Sequence, residues 1–112
     1  MADHVINFVI AQLIERNAQD IKIIDFMQNH AFFDKAIIAT GTSSRHIDIL
    51  ATDISNCLRQ RYKINTNSEG HAHSQWILID VKYFIVNILQ KKVRQEYNLE
   101  KVWNYSSPIQ VS

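Results

Sequence analysis

A short polar turn carries the clearest potential for chemistry in this sequence of 112 residues. Gly41 ends an apolar run, and Thr42, Ser43, Arg45 and His46 come shortly after it. A turn that leads from a strand into a helix directs backbone N–H groups at one place, where a phosphate can bind. The glycine spacings of the P-loop and of the dinucleotide-binding turn are absent. Two interpretations remain: a phosphate site assisted by Arg45, or a structural turn whose serines cap the helix.

The carboxylates and histidines are not spaced as catalytic or metal-binding groups. A nucleotidyltransferase needs carboxylates at neighbouring strand positions to hold Mg²⁺. Asp80, however, has Leu78 and Lys82 two residues away, and Asp53 falls within a predicted helix. The histidines of residues 71–73 lie in a polar stretch without a cysteine, which favours solvated side chains over a zinc site. The sequence therefore predicts no catalytic residue, no metal and no cofactor.

Composition narrows the class of protein further. Lys and Arg number 12 against 11 Asp and Glu, and this near-balance disfavours a dedicated nucleic-acid binder. A single cysteine, Cys57, excludes an intrachain disulfide and fits a reducing compartment. The apolar run at residues 5–14 is too short to span a bilayer, and the first residues lack the basic region of a secretory signal. A cytoplasmic protein is expected.

Hydrophobic spacing predicts one α/β domain, a mixed sheet flanked by helices. The predicted helices cover residues 3–17, 43–61 and 91–97, and the strands cover 21–26, 35–40, 63–67, 76–80 and 84–89. The second strand is apolar throughout, so it is expected in the centre of the sheet. The last two strands are expected to form a hairpin. We expect Asp3 to cap the first helix, residues 68–74 to form a loop, and the chain to fray from Asn104 onward.

Basic and aromatic residues near the C-terminus have two interpretations each. The cluster at residues 91–94, with Lys91, Lys92 and Arg94, is either a solvated helix face or a contact to a partner or RNA, and the solvated face is favoured. Trp76 and Trp103 are each either packed in the interior or an anchor of an interface, and interior packing is the default.

Four motifs in order resemble one family, the ribosomal silencing factors (Iojap-like proteins). They are AQDI at residues 18–21, ATGTSSRH at 39–46, WILID at 76–80 and YNLEKVW at 97–103. Each motif is weak alone, but their order and spacing are specific over about residues 5–103. The patterned residues are Asp20, Gly41, Thr42, Ser43, Arg45, His46, Trp76, Asp80, Tyr97, Leu99 and Trp103.

The resemblance implies a fold related to nucleotidyltransferases but without catalysis. It also implies docking on protein fourteen of the large ribosomal subunit, which blocks the small subunit and lowers translation when nutrients are scarce. Together with the residue types, it suggests a partner-binding set of Trp76, Leu78, Asp80, Arg45, His46 and Tyr97. Gly41, Thr42, Ser43 and Trp103 are expected to have structural roles.

The sequence departs from the family pattern after Asp80. The family continues with Gly-Asp where Lys82 and Tyr83 stand here, and it has His at the position of Asn87. The hairpin turn is therefore expected to differ locally. The fold is expected to persist, because residues 84–89 keep the pattern of a strand.

The expected organisation is a silencing-factor domain at residues 1–103 followed by a short tail at 104–112. Its expected partner is the large ribosomal subunit, with little direct RNA contact, no DNA and no membrane. Two other hypotheses stay open at this point. One is a nucleotide-binding or nucleotidyltransferase-like enzyme that uses the turn at residues 41–46. The other is self-association, since strand edges and apolar helices can pair two copies, which makes a homodimer of the free protein plausible.

Overall fold

The computed structural model describes residues 2–26, 34–70, 75–82, 84–97 and 107–110. Along these residues the elements are α1 (Ala2–Glu15), β1 (Gln19–Asp25), β2 (Lys35–Gly41), α2 (Ser44–Tyr62), β3 (Asn67–Glu69), β4 (Trp76–Asp80), β5 (Phe84–Gln90), α3 (Lys91–Tyr97) and β6 (Ser107–Gln110). One sheet contains the six strands in the order β3-β4-β5-β2-β1-β6.

The centre of this sheet is a parallel pair formed by β2 and β5. The other neighbouring strands are antiparallel, including the hairpin of β4 and β5. The mixed sheet, the hairpin and the central position of β2 are thus confirmed. The side chains of β2 from Ala36 to Ala39 are fully buried, because helices cover both faces of the sheet at this strand.

α1 and α2 cover one face of the sheet, which we call the helical face. α2 buries a stripe of five apolar residues at helical spacing, namely Ile47, Leu50, Ala51, Ile54 and Leu58. They pack with α1 and with inward side chains of β1, β2, β4 and β5 in one cluster. Each fully buried Ile or Leu stabilises the fold by roughly 1.5–3 kcal/mol. None of the described helices is long and apolar enough to cross a membrane.

The opposite side of the sheet, the α3 face, has a smaller core. Its buried side chains are Ile24, Phe26, Ala36, Ile38, Ile85, Leu89 and, from α3, Val93. Trp76 and Leu78 pack against this cluster and stay half-buried. The apolar surface at the β4 end of this face is therefore incompletely covered by the described part of the chain.

The structure corrects the prediction for the edge strand. Residues 63–67 were expected to form it and residues 68–74 to form a loop, but the strand is Asn67–Glu69. α2 continues to Tyr62, and Lys63 ends it in the left-handed conformation. The Lys63 N–H donates to Arg59 O at 3.1 Å, and the Ile64 N–H donates to Leu58 O at 3.3 Å. Residues 63–66 connect the end of α2 to the sheet, so pairing with β4 begins only at Asn67.

Both ends of the chain also differ from expectation. Asp3 lies inside the first turn of α1 and does not cap it; its carboxylate binds Lys35 Nζ at 2.7 Å. Residues 107–110 were expected to fray, but they form β6, which pairs with β1 at the edge of the sheet. Pro108 has no N–H to donate, and an edge strand tolerates that loss. The predicted boundary between domain and tail, at residues 103 and 104, lies outside the described residues.

Candidate partner-binding surface

The turn after β2 is built around a glycine that a larger residue would disturb. A Cβ at Gly41 would lie 2.8 Å from Ile47 Cγ1, a side chain that is itself fully buried. Ser43 caps α2, because its Oγ accepts a hydrogen bond from the His46 N–H at 3.1 Å. Gln90, the last residue of β5, donates from Nε2 to Ser44 Oγ at 2.7 Å. The turn is thus held by its own polar groups and by the end of β5.

The His46 ring also closes the turn from inside. The Thr42 N–H donates to His46 Nδ1 at 2.9 Å, so Nδ1 is the unprotonated nitrogen and Nε2 carries the hydrogen. Nε2 then donates to the carbonyl oxygen of Arg16, at 2.9 Å, where α1 has just ended. The N–H groups of Thr42 and His46, which a phosphate would need, are therefore already used. This geometry disfavours the nucleotide-binding hypothesis for the turn.

Three alternating residues of β4 lie on the α3 face, namely Trp76, Leu78 and Asp80. In the register of the sheet, Glu69 of β3 pairs with Leu78, and Asn67 pairs with Asp80. Paired residues of antiparallel strands project to the same side. We call the surface formed by Trp76, Leu78, Asp80 and Glu69 the β4 surface. A shallow depression of about 310 Å³ lies here, lined by Glu69, Gly70, Trp76 and Leu78.

A buried amide holds the tryptophan of the β4 surface. Asn87 of β5 is 0% exposed, and its Oδ1 accepts a hydrogen bond from Trp76 Nε1 at 2.9 Å. Within the described residues, Asn87 Nδ2 has no hydrogen-bond partner. The indole N–H of Trp76 therefore has a hydrogen-bond acceptor beneath the surface, and the Trp76 side chain is half-buried.

Asp80 has a structural bond in addition to its place on the surface. Its Oδ1 accepts the Lys82 N–H at 2.8 Å, and the Val81 N–H donates to Phe84 O at 3.0 Å across the turn. Lys82 has φ 80°, a conformation that glycine adopts at least cost. The family pattern has Gly at this position. Lys82 therefore adopts a backbone conformation typical of glycine although it has a side chain. Tyr83 lies outside the described residues.

The predicted binding residues do not all meet in one place. Trp76 and the 41–46 turn lie at the same end of the sheet, because Gln90 pairs with Gly41 and bonds Gln75 O at 2.9 Å. Arg45 is exposed there, whereas the His46 side chain is directed toward α1. Asp80 lies at the other end of β4, about 13 Å away along the strand. The Tyr97 side chain and the whole of Trp103 lie outside the described residues.

Sequence reasoning missed the roles of two residues on the α3 side. Glu69 was assigned to a loop, although it lies opposite Leu78 on β3. Arg94 was assigned to a solvated helix face, but it is buried and donates to Thr40 Oγ1 at 2.9 Å and to the Asp20 carbonyl oxygen. Lys91 and Lys92 are exposed, as that interpretation expects. The spacing of residues 91–94 contains no signal that separates Arg94 from its neighbours.

Away from the β4 surface, an ion pair between Arg16 and Asp53 links the end of α1 to α2. Arg16 Nε binds Asp53 Oδ2 at 3.0 Å, and this hydrogen bond raises the pKa of the guanidinium above its ordinary value. Cys57 lies beside the pair, with Arg16 Nη2 and Gln12 Oε1 each 3.8 Å from its Sγ. Within the described residues no group of His, Cys, Asp and Glu side chains is placed to hold a metal ion. His71 and His73 lie outside those residues.

Comparison with known proteins gives a consistent result. The profile of the family described as "Ribosomal silencing factor during starvation" matches residues 1–112. Among curated proteins, the ribosomal silencing factor of Haemophilus influenzae is 32% identical over 99 residues, covering 88% of this chain and 96% of that protein. The one from Chromobacterium violaceum is 29% identical, covering 88% of this chain and 81% of that protein.

More distant relatives and solved structures agree with these matches. A mouse protein named "Mitochondrial assembly of ribosomal large subunit protein 1" is 26% identical, covering 95% of this chain and 50% of that protein. A crystal structure of a Chromobacterium violaceum protein superposes with a TM-score of 0.87 at 26% identity, covering 100% of this chain and 93% of that one. A Bacillus halodurans structure, 22% identical with a TM-score of 0.79, covers 97% and 99% and supports the fold.

Proposed function

The chain belongs to the ribosomal silencing factor family, a family of translation regulators rather than enzymes, and we propose that it represses translation by occlusion. In this proposal it docks on protein fourteen of the large ribosomal subunit. The bound molecule then prevents the small subunit from joining when nutrients are scarce. Occlusion needs only a stable complex and no chemistry, so the absence of paired catalytic carboxylates from the sequence is consistent with it.

The observation that carries the proposal is the β4 surface. Trp76 and Leu78 expose apolar area beside a depression of about 310 Å³. Tryptophans in such positions are frequent hot spots of protein interfaces. Asn87 holds the indole, so little side-chain entropy remains to be lost when a partner binds.

Charge favours a protein partner at this surface. Glu69 and Asp80 are exposed on the same side of the sheet as Trp76. Carboxylates would repel the phosphates of ribosomal RNA, whereas they complement a basic segment of a ribosomal protein. The formal net charge of +1 also fits a complex whose main contact is to protein.

Co-sedimentation with purified large subunits tests the proposal. Truncation of a hot-spot tryptophan costs about 2 kcal/mol or more, so Trp76→Ala should weaken binding roughly 30-fold. Ile49→Ala is the matched control, because Ile49 is 44% exposed and lies on α2, on the opposite side of the sheet. Subunit joining, measured by light scattering, should recover with Trp76→Ala and stay inhibited with Ile49→Ala. Equal binding by both variants would contradict the site.

Two further expectations belong to this proposal. Arg45, His46 and Tyr97 would contact the partner or support the surface, with His46 in the supporting role because its ring bonds Thr42 and Arg16. The free protein would form a homodimer that dissociates on the ribosome. Light scattering of the protein with and without large subunits measures this, and a monomer at all concentrations would contradict the dimer alone. The protein would act in the cytoplasm.

A further inference from the structure

Positive charge accumulates at the C-terminal end of α2. Arg59, Arg61 and Lys63 are exposed, and we call this group the basic end of α2. Residues 54–68 contain these three basic residues and no Asp or Glu. Within the described residues no ion pair involves any of the three. A helix C-terminus carries about half a negative charge, so the three cations leave a clear positive surplus.

Arg61 is held in place by two aromatic rings. Its Cζ lies 5.6 Å from the ring centroid of Phe8 and 5.8 Å from that of Tyr62. The two rings meet edge to face, with their centroids 5.2 Å apart. Cation–π contacts do not consume the N–H donors of a guanidinium. The rings therefore restrict the Arg61 side chain while its N–H groups can still bind an anion.

Lys63 occupies a backbone position at which a lysine is costly. It ends α2 at φ 58° and ψ 31°, the left-handed conformation in which glycine is usual. A non-glycine residue in this conformation is strained, and such strain is frequent at functional sites. A glycine here would complete the same cap without a positive side chain.

The basic end of α2, on the helical face, lies near the Asp80 end of the β4 surface, which is on the opposite face of the sheet. Lys63 precedes Asn67 by four residues, and Asn67 pairs with Asp80 at the end of β4. Four residues span at most about 14 Å. One particle can therefore contact both regions at once, through an acidic, apolar surface on one side and a basic one on the other.

We propose that the basic end of α2 contacts the phosphate backbone of ribosomal RNA, beside the protein contact made by the β4 surface. Arginine forks and lysine ammonium groups are the usual ligands of RNA phosphates, and the charge of this region complements them. The inference rests on the proposed function, because only a ribosome-bound molecule meets RNA at this place. Because only three basic residues take part, the RNA contact contributes less to binding than the β4 surface and depends on salt concentration.

The salt dependence of binding tests this contact. Each phosphate contact contributes about 0.7 to the slope of log K against log salt for a single strand. The triple variant Arg59→Gln, Arg61→Gln and Lys63→Gly should therefore show a slope shallower by about 2 when binding to large subunits is measured from about 50 to about 200 mM KCl. Gln60→Ala, an uncharged change on the same turn, should keep the wild-type slope. Equal slopes for wild type and triple variant would overturn the proposal.

A single substitution separates this role from a structural one. Lys63→Gly should raise the unfolding temperature, because the strain is removed, and should still weaken subunit binding at low salt. Increased stability with unchanged affinity would show that Lys63 does not contact RNA. A circular dichroism melt of each variant confirms that it folds.

Binding to an isolated RNA hairpin tests the RNA contact separately from docking by the β4 surface. Fluorescence anisotropy should show weak binding of the wild type to the hairpin at low salt, and loss of that binding in the triple variant. If Trp76→Ala leaves subunit binding intact while the triple variant flattens the slope, the β4 surface fails and the RNA contact stands. If the slope changes but the hairpin is bound equally by both proteins, the partner is an acidic protein and the RNA proposal fails.

Discussion

Trp76 Nε1 donates a hydrogen bond to Oδ1 of Asn87, at 2.9 Å, across the antiparallel pair of β4 and β5. The two residues are not directly paired, since Asn87 lies opposite Leu78 and Trp76 opposite Leu89. The long indole reaches diagonally over the strand, as large aromatic side chains can. A fully buried amide thus determines the orientation of the half-buried ring that the proposed function places at the interface.

Removal of that amide should cost stability. Asn87→Ala leaves the indole N–H without this acceptor and should lower the free energy of unfolding by about 1–3 kcal/mol. Urea unfolding measures the change. Trp76→Phe removes the donor, and the double-mutant cycle of the two substitutions should give a coupling of about 1 kcal/mol. Strictly additive effects would show that the hydrogen bond contributes nothing.

Replacement of Lys82 by glycine should stabilise the hairpin. Lys82 has φ 80°, and Lys82→Gly removes the steric cost of a Cβ in that conformation. The expected gain is about 0.5–1 kcal/mol, reduced by the greater freedom of glycine in the unfolded chain. Lys92→Gly, at an exposed position in the first turn of α3, is the control and should lose up to about 1 kcal/mol. Thermal unfolding of both variants should show opposite shifts.

Enlargement of Gly41 should destabilise the start of α2. The Cβ of Gly41→Ala would lie 2.8 Å from Ile47 Cγ1, so either the turn or the buried isoleucine must move. Overpacking of this kind costs about 1–3 kcal/mol. In a double-mutant cycle with Ile47→Ala, which removes the clashing Cγ1, part of the cost of Gly41→Ala should be recovered in chemical unfolding. No recovery would indicate that the backbone, not Ile47, limits the space.

The contact between Asp3 and Lys35 predicts a pH dependence. The hydrogen bond from Lys35, at 2.7 Å, and the charge of its ammonium lower the pKa of Asp3 below 3.8. The same hydrogen bond to Asp3 raises the pKa of Lys35 above 10.5. The carboxylate contribution is therefore complete well above pH 3.8 and is lost as the pH falls through the lowered value. The lysine contribution is complete well below pH 10.5 and is lost as the pH rises through the raised value.

Asp3→Asn should therefore lower the unfolding temperature at neutral pH, and the difference from wild type should disappear in acid, below the lowered pKa of Asp3. The effect is small, because the pair is exposed and screened by salt. Glu15→Gln, a change at another exposed carboxylate of α1, is the control. A difference between Asp3→Asn and wild type that persists unchanged in acid would contradict the ion pair as its cause.

Charge reversal on β3 should disturb partner binding without disturbing the fold. Glu69 is exposed beside Leu78, so Glu69→Lys should weaken binding to large subunits if the partner segment is basic. We expect at least a tenfold loss, about 1.4 kcal/mol. Glu15→Lys makes the same charge change on α1 and should bind as wild type. Stronger binding by Glu69→Lys would indicate an acidic partner at the β4 surface.

Local patterns in the sequence predicted most of the elements. The spacing of apolar residues predicted α2, and residue types together with the family resemblance singled out Trp76, Leu78 and Asp80 on β4. The apolar run of β2 determined its central position. Errors occurred where polar residues join strands at the edge, as in β3 and β6, because backbone pairing with a neighbour overrides weak local propensity.

By itself, the sequence determined the family, the α/β class and three residues of the β4 surface, Trp76, Leu78 and Asp80, since these depend on residue types, periodicity and motif order. Only the tertiary structure decided that Asn87 supports Trp76, that Glu69 lies beside Leu78, and that the His46 ring faces inward to Arg16. It also decided the burial of Arg94. Such relationships depend on strand register and on contacts between distant segments, which a local pattern of residues does not contain.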